Sequence, residues 1–326
     1  MKFTSAAKRA AHLAHTVIGK SPLATRWYFA LLSGVLRPLP ECKFKRQILN
    51  SVLAARWPEC DLPSRRVILG TKTSIALYPR FGEIGFESLV SRNPLYEREV
   101  FFFLEPRLAD YDTVVEIGAN VGLFSLFFAT AFERLQKSDS QVFAFEPSRK
   151  AYLRLLQNLK LNAVRNVQAF NCAVGEKTVF ASFFEPEDHL NNGSLLEEFA
   201  LIFSSSLQVS QTLVLNAELL ETLLSCAGRL LIKIDAEGAE SRILTGLRSV
   251  IAKNKPDILL EVLPMYQDSL NSMGFLRAAG YQFLNITDRG AAKHEKFTAS
   301  EFSDWLLVPN ESSVETPQLV GRNESR

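Results

Sequence analysis

Residues Thr113-Val-Val-Glu-Ile-Gly-Ala-Asn-Val-Gly122 decide the fold. A short β-branched run leads directly into glycine, the pattern of a buried strand ending at a tight turn. Val121 to Leu135 is then apolar on every side, rich in Ala, Leu and Phe, as a helix packed on a sheet must be. The same alternation recurs downstream. Gln141–Phe145 reads as a second strand that stops at Glu146-Pro147, with Ser148 placed to cap a helix running to about Leu161. Val167–Val174 is a third strand and Arg229–Ile234 a fourth, ending at Asp235 ahead of a helix over Ala239–Ala252. Asp257–Val262 is a fifth, followed by a helix over Leu270–Ala279. Two late strands, Tyr281–Ile286 and Asp304–Val308, fit an antiparallel hairpin at one edge. Strands alternating with helices predict an α/β fold with a doubly wound, mostly parallel sheet. Residues 175–228 read as a less regular insertion.

Ligands of such sheets bind at the carboxyl ends of the strands. Those ends are polar here: Glu116 and Gly118, Glu146, Asn171-Cys172, Asp235 and Glu237, and Glu261. A dinucleotide fingerprint would need glycine at 120 and 123, where the chain has Asn120 and Leu123. The acidic Glu116 before the glycines would also repel a pyrophosphate and suit an amine-bearing ligand. The helix start beyond Gly122 offers N–H groups to a carboxylate. Glu146, at the second strand end, can accept both hydroxyls of a ribose. Amine, carboxylate and ribose on one ligand describe S-adenosylmethionine better than a nicotinamide dinucleotide.

Asp112-Thr-Val-Val-Glu-Ile-Gly-Ala-Asn-Val-Gly122, Phe145-Glu-Pro147 and above all Leu231-Ile-Lys-Ile-Asp-Ala-Glu-Gly-Ala-Glu240 resemble the FkbM-type methyltransferases. The resemblance covers roughly residues 90–290. It implies a seven-stranded, Rossmann-like class I methyltransferase fold with S-adenosylmethionine as cofactor. By that resemblance Glu116, Gly118, Ala119, Asn120 and Gly122 hold the methionine end and Glu146 the ribose. Cys172 and Ala173 flank the adenine, and Asp235 lies beside the sulfonium and amine. The implied acceptors are hydroxyls of carbohydrates, glycolipids or polyketide-like products.

Methyl transfer from a sulfonium is an in-line displacement, so alignment carries most of the rate. An aliphatic hydroxyl is a poor nucleophile, and a base near it helps by ~10²–10⁴. Asp235, Glu237 and His189 are the candidates, with Glu240 and Glu261 behind them. Glu237 and Glu240 also suit the start of a helix, and His189 a polar turn. Nothing in the sequence forms a metal-ligand set, and no Cys-x-x-Cys pair occurs among Cys42, Cys60, Cys172 and Cys226. Reduced thiols in a cytoplasmic protein are the simplest expectation.

The net charge of +2 is too small to argue for nucleic acid, but its placement is uneven. Residues 1–80 hold fourteen Lys and Arg against three Asp and Glu. That shift predicts a basic, mainly helical N-terminal extension over 1–80, a methyltransferase domain over 81–310 and a loose tail over 311–326. No apolar run reaches the ~18–20 residues of a membrane span, and no secretory signal is expected. The basic segment leaves room for peripheral membrane contact through residues 1–36. The competing functional reading is a non-catalytic binding or assembly protein that uses this basic surface. Oligomeric state is not encoded in any pattern found.

Overall fold

The computed structural model describes residues 14–39, 45, 47–48, 51–52, 57, 62–80, 84–93, 96–187, 192–223 and 228–310. The chain divides into two compact units, Met1–Tyr96 and Glu97–Arg326. Residues 81–96 therefore belong with the first unit.

In the first unit, Ser21 caps the helix Pro22–Leu36 by accepting from the Ala24 N–H, and Pro22 sits at the helix start, where its missing donor costs nothing. Thr25, Phe29, Ser33 and Leu36 form its buried face, and Phe29 and Leu36 pack with Val52, Leu62, Phe86, Leu89 and Val90. Among its described residues helix outweighs strand, but the unit is not helical throughout. Strands β1 (Arg65–Leu69) and β2 (Thr73–Leu77) pair antiparallel, Arg65 opposite Leu77. The alternation is visible in Arg-Arg-Val-Ile-Leu, of which only Val67 and Leu69 are buried.

The second unit is the α/β body. Its strands are β3 (Thr113–Ile117), β4 (Gln141–Phe145), β5 (Val167–Phe170), β6 (Ala173–Gly175), β7 (Val179–Pro186), β8 (Leu207–Asn216), β9 (Leu230–Ile234), β10 (Asp257–Glu261), β11 (Tyr281–Thr287), β12 (Gly290–His294) and β13 (Asp304–Pro309). The main sheet runs β12-β11-β13-β10-β9-β3-β4-β5. Strands β5, β4, β3, β9 and β10 are parallel, and β13, β11 and β12 are added antiparallel. The sheet thus has eight strands rather than seven. The unforeseen eighth is Gly290–His294, an edge strand whose Lys293 and His294 give it no apolar signal. The late strands are not a simple hairpin either, because β13 inserts between β10 and β11.

Two further expectations change. Strands β6, β7 and β8 form a second, three-stranded sheet in the order β6-β8-β7, with a helix, Glu197–Phe203, between β7 and β8, so the stretch read as irregular holds regular elements. The helix expected over 239–252 is two helices, Glu240–Gly246 and Arg248–Asn254. A Cβ at Gly246 would lie 2.7 Å from the Gly175 carbonyl oxygen, so this turn of helix is pressed against the backbone of β6.

Chain order reverses at β3. From there β4 and β5 run to one side, while β9 and β10 lie on the other. The switch point between β3 and β9 is where a doubly wound sheet opens a crevice for ligand.

Candidate active site

Gly118, the residue after β3, has φ +88. A Cβ there would stand 1.7 Å from the backbone oxygen of Asp235, which follows β9. The Asp235 N–H donates to the Ile117 carbonyl at 3.0 Å, so the two strand ends are joined across the switch point. From the other side, the N–H groups of Gly118 and Ala119 donate to the Phe145 carbonyl at 2.9 and 3.0 Å. Asn120, also left-handed with φ 48, donates its N–H to Glu146 Oε2 at 2.6 Å. The other Glu146 oxygen accepts from the Ser148 N–H at 2.7 Å. Gly122, with φ +87, is packed so closely on Leu155 that a side chain would collide. The structure therefore joins the ends of β3, β4 and β9 at the switch point, with Gly118, Ala119, Asn120, Gly122, Glu146 and Asp235 on the connected loops. Cys172 and Ala173 are buried beyond Glu146, between β5 and β6, and burial pushes the Cys172 thiol up to about 11.

Glu116 lies deeper than a loop residue. It is 1% exposed, opposite Lys233 in the β3–β9 register, and accepts a hydrogen bond from Ser125 Oγ. Lys233, itself buried, reaches up its own strand to Asp235 Oδ2 at 2.9 Å and lies 4.5 Å from the Phe124 ring centre. A lysine in an apolar strand is stable only with such partners. Despite burial, Asp235, Glu97 and Glu116 together hold it protonated.

Glu240 has a structural task. Its Oε1 accepts from the N–H groups of Ala236 and Gly238, fixing the loop that carries Asp235 and Glu237. Glu237 sits on that loop with φ 49, its carbonyl accepting from Ser194 Oγ at 2.7 Å. Tyr266 covers the next residue, its ring 2.7 Å from where a Gly238 Cβ would be. His189 lies outside the described residues. Among the described residues, no His, Cys, Asp and Glu group could hold a metal ion.

The acid wall extends further than the sequence revealed. Asp304 at the start of β13 pairs in register with Glu261 at the end of β10. Burial and then neighbouring acids raise Glu261 to about 11, Glu237 to about 9 and Asp304 well above its ordinary range. Ser194, Tyr266 and Asp304 carry no motif. The only signal for Asp304 is an acid opening an otherwise apolar strand.

Burial also lifts Glu116 to about 8, against Lys233 and Ser125, and Glu146 to about 7, against its two backbone donors. Both values exceed the ordinary 4.5. Between 4.5 and these values the folded chain holds more protons than the unfolded one, so stability falls as pH rises. This is the reverse of a salt-bridged carboxylate. Urea midpoints should therefore decline from pH 5 through pH 8, and a rise over that window would contradict the burial of these two groups.

Residues 116–283 match the methyltransferase FkbM domain. The chain belongs to the FkbM methyltransferase family. It is an S-adenosylmethionine-dependent methyltransferase. Over 217 residues, 59% of this FkbM methyltransferase and 85% of the relative, it is 25% identical to Methyltransferase 1 of Beauveria bassiana (strain ARSEF 2860). Among solved structures, the FkbM methyltransferase of Methylobacillus flagellatus KT is 22% identical with a TM-score of 0.39. That match covers 61% of this chain and 44% of the Methylobacillus chain. An S-adenosylmethionine-dependent O-methyltransferase of Thermotoga maritima is 9% identical, with TM-score 0.34 and coverage of 65% and 64%.

The strand ends suit this cofactor by the chemistry of their donor set. Carboxylates at successive strand ends match a ligand with two positive centres and a ribose. The helix Leu123–Arg134 begins at Gly122, which has no side chain to cap its first N–H groups, leaving them for a carboxylate. When bound, the cofactor supplies an electrophilic methyl on a sulfonium.

Proposed function

We propose that the FkbM methyltransferase transfers its methyl to a hydroxyl oxygen of a carbohydrate, glycolipid or polyketide-like acceptor. One observation carries this reading: Glu261 at the end of β10, Asp304 paired with it in register and Glu237 just after β9 stand at the same end of the sheet as Asp235, where burial raises the proton affinity of the three. A hydroxyl needs a proton acceptor as it attacks; an acid raised to about 9 accepts only once ionised, a form that a positive cofactor beside it favours, so turnover should rise with pH toward that value. In this reading Gly118, Ala119, Asn120 and Gly122 bound the methionine end, and Glu146 receives the ribose hydroxyls. Cys172 and Ala173 flank the adenine. Asp235 faces the amine and sulfonium, and Glu237 serves as base, with His189 the second candidate from the sequence. Glu116 acts from behind, through Lys233, which orients Asp235.

Asp235→Ala should weaken cofactor binding about 100-fold, the scale of losing a charge-assisted contact of ~2–3 kcal/mol. Titration calorimetry with S-adenosylmethionine reads this directly. Unchanged affinity would remove Asp235 from the cofactor site. Mass spectrometry of a methyl-labelled product would show whether oxygen, nitrogen or carbon is the acceptor.

A further inference from the structure

We propose that the outer face of the helix Pro22–Leu36 docks on an anionic lipid surface, lying in the plane of the bilayer. Leu23, Trp27, Leu31 and Val35 recur every fourth residue and are 65%, 72%, 71% and 57% exposed. Ala24, Ala30 and Gly34, also exposed, lie between them, so the face is a continuous apolar strip broken only by Arg26. Scattered exposed leucines are ordinary on a protein surface, but an aligned strip is not.

The helix cannot hide this strip by rolling over. Its opposite face is already committed: Phe29 stacks edge-on with Trp57 and Phe86, and Ser33 Oγ accepts from Arg65 Nε. Both faces are therefore apolar, one spent on the unit's own core and one turned outward.

Charge selects the occupant. The fourteen basic and three acidic residues of positions 1–80 complement anionic headgroups. A second copy of the chain would bring the same positive excess to the contact, which disfavours a dimer across this strip. A helix of 15 residues is about 22 Å long, short of the ~30 Å hydrocarbon core. Among the described residues, no helix is long and apolar enough to cross a membrane. An in-plane helix needs only one apolar face, and an exposed tryptophan is suited to the headgroup boundary.

The test is flotation of the full chain with vesicles of phosphatidylcholine alone or mixed with phosphatidylglycerol. Binding is expected to the mixed vesicles, to weaken as salt is raised, and to shift the tryptophan emission to shorter wavelength. Because Trp57 is packed among rings and Trp305 is buried, that shift should vanish in Trp27→Phe. Leu31→Glu should lower vesicle binding at least about tenfold while leaving S-adenosylmethionine binding unchanged, since the position is exposed and outside the cofactor unit. Leu23→Glu is the second variant, should the first not fold. Three results would each overturn the proposal: no flotation with either vesicle, flotation insensitive to both variants, or self-association abolished by Leu31→Glu without lipid binding.

Discussion

Lys233→Met should cost the protein about 3–5 kcal/mol, and the loss should grow with pH. Methionine preserves volume and apolar contact, so packing in β9 survives. What disappears is the cation that hydrogen-bonds Asp235 and stands opposite Glu116 in the β3–β9 register. Glu116 is buried and already lifted to about 8 by burial, so in the variant it must take a proton or remain an uncompensated charge. Below pH 6 a protonated Glu116 relieves most of the penalty; above pH 8 it does not. Denaturant unfolding of wild type and variant at pH 5.5 and 8.5 measures this difference. Combining the change with Glu116→Gln should recover part of the lost stability, a coupling read from the double-mutant cycle. Additive losses would show that the two side chains do not sense each other.

Gly118→Ala should be comparably severe, at about 3 kcal/mol or more, for a steric reason. The new methyl group would lie 1.7 Å from the Asp235 oxygen and 2.8 Å from its carbonyl carbon, and both are backbone atoms. Neither can rotate aside. Relief requires separating the ends of β3 and β9, which the Asp235-to-Ile117 hydrogen bond holds together, and φ +88 is itself unfavourable to alanine. Thermal unfolding should show a large drop in midpoint. Gly34→Ala is the control: nothing lies within 4 Å of its Cβ position, so the same chemical change there should be harmless or slightly stabilising.

The features legible in the sequence were those built from contiguous residues. The Gly118–Gly122 turn after β3, Glu146 after β4 and Asp235 after β9 each follow a short apolar strand, and local pattern locates them. Ser148 was readable as a helix cap, and its Oγ does accept from the Ala151 N–H. The illegible parts depend on pairing between distant segments. Asp304 joins Glu261 only because β13 inserts between β10 and β11, and no local periodicity encodes that choice. The break between helices at Leu247 follows from the approach of Gly246 to β6, a tertiary contact. Strand β8 was obscured by Gln208, Ser210 and Gln211, exposed polar positions, and β7 by Glu185, a buried carboxylate that accepts from Ser148 Oγ. The helix Pro22–Leu36 has apolar residues on both faces, so sequence alone cannot say which face turns inward.

The interposed β13 also orders events in time. A ribosome releases residues 113–261 with every parallel strand available, yet Glu261 meets its carboxyl partner only after residue 304 has emerged. Until then β11 can pair only with β12 and stays unjoined to the parallel strands, since it touches β12 and β13 but never β10. A nascent chain can thus join the glycine turn after β3 to β4 and β9 early, while the pairing of Glu261 with Asp304 must await the emergence of β13.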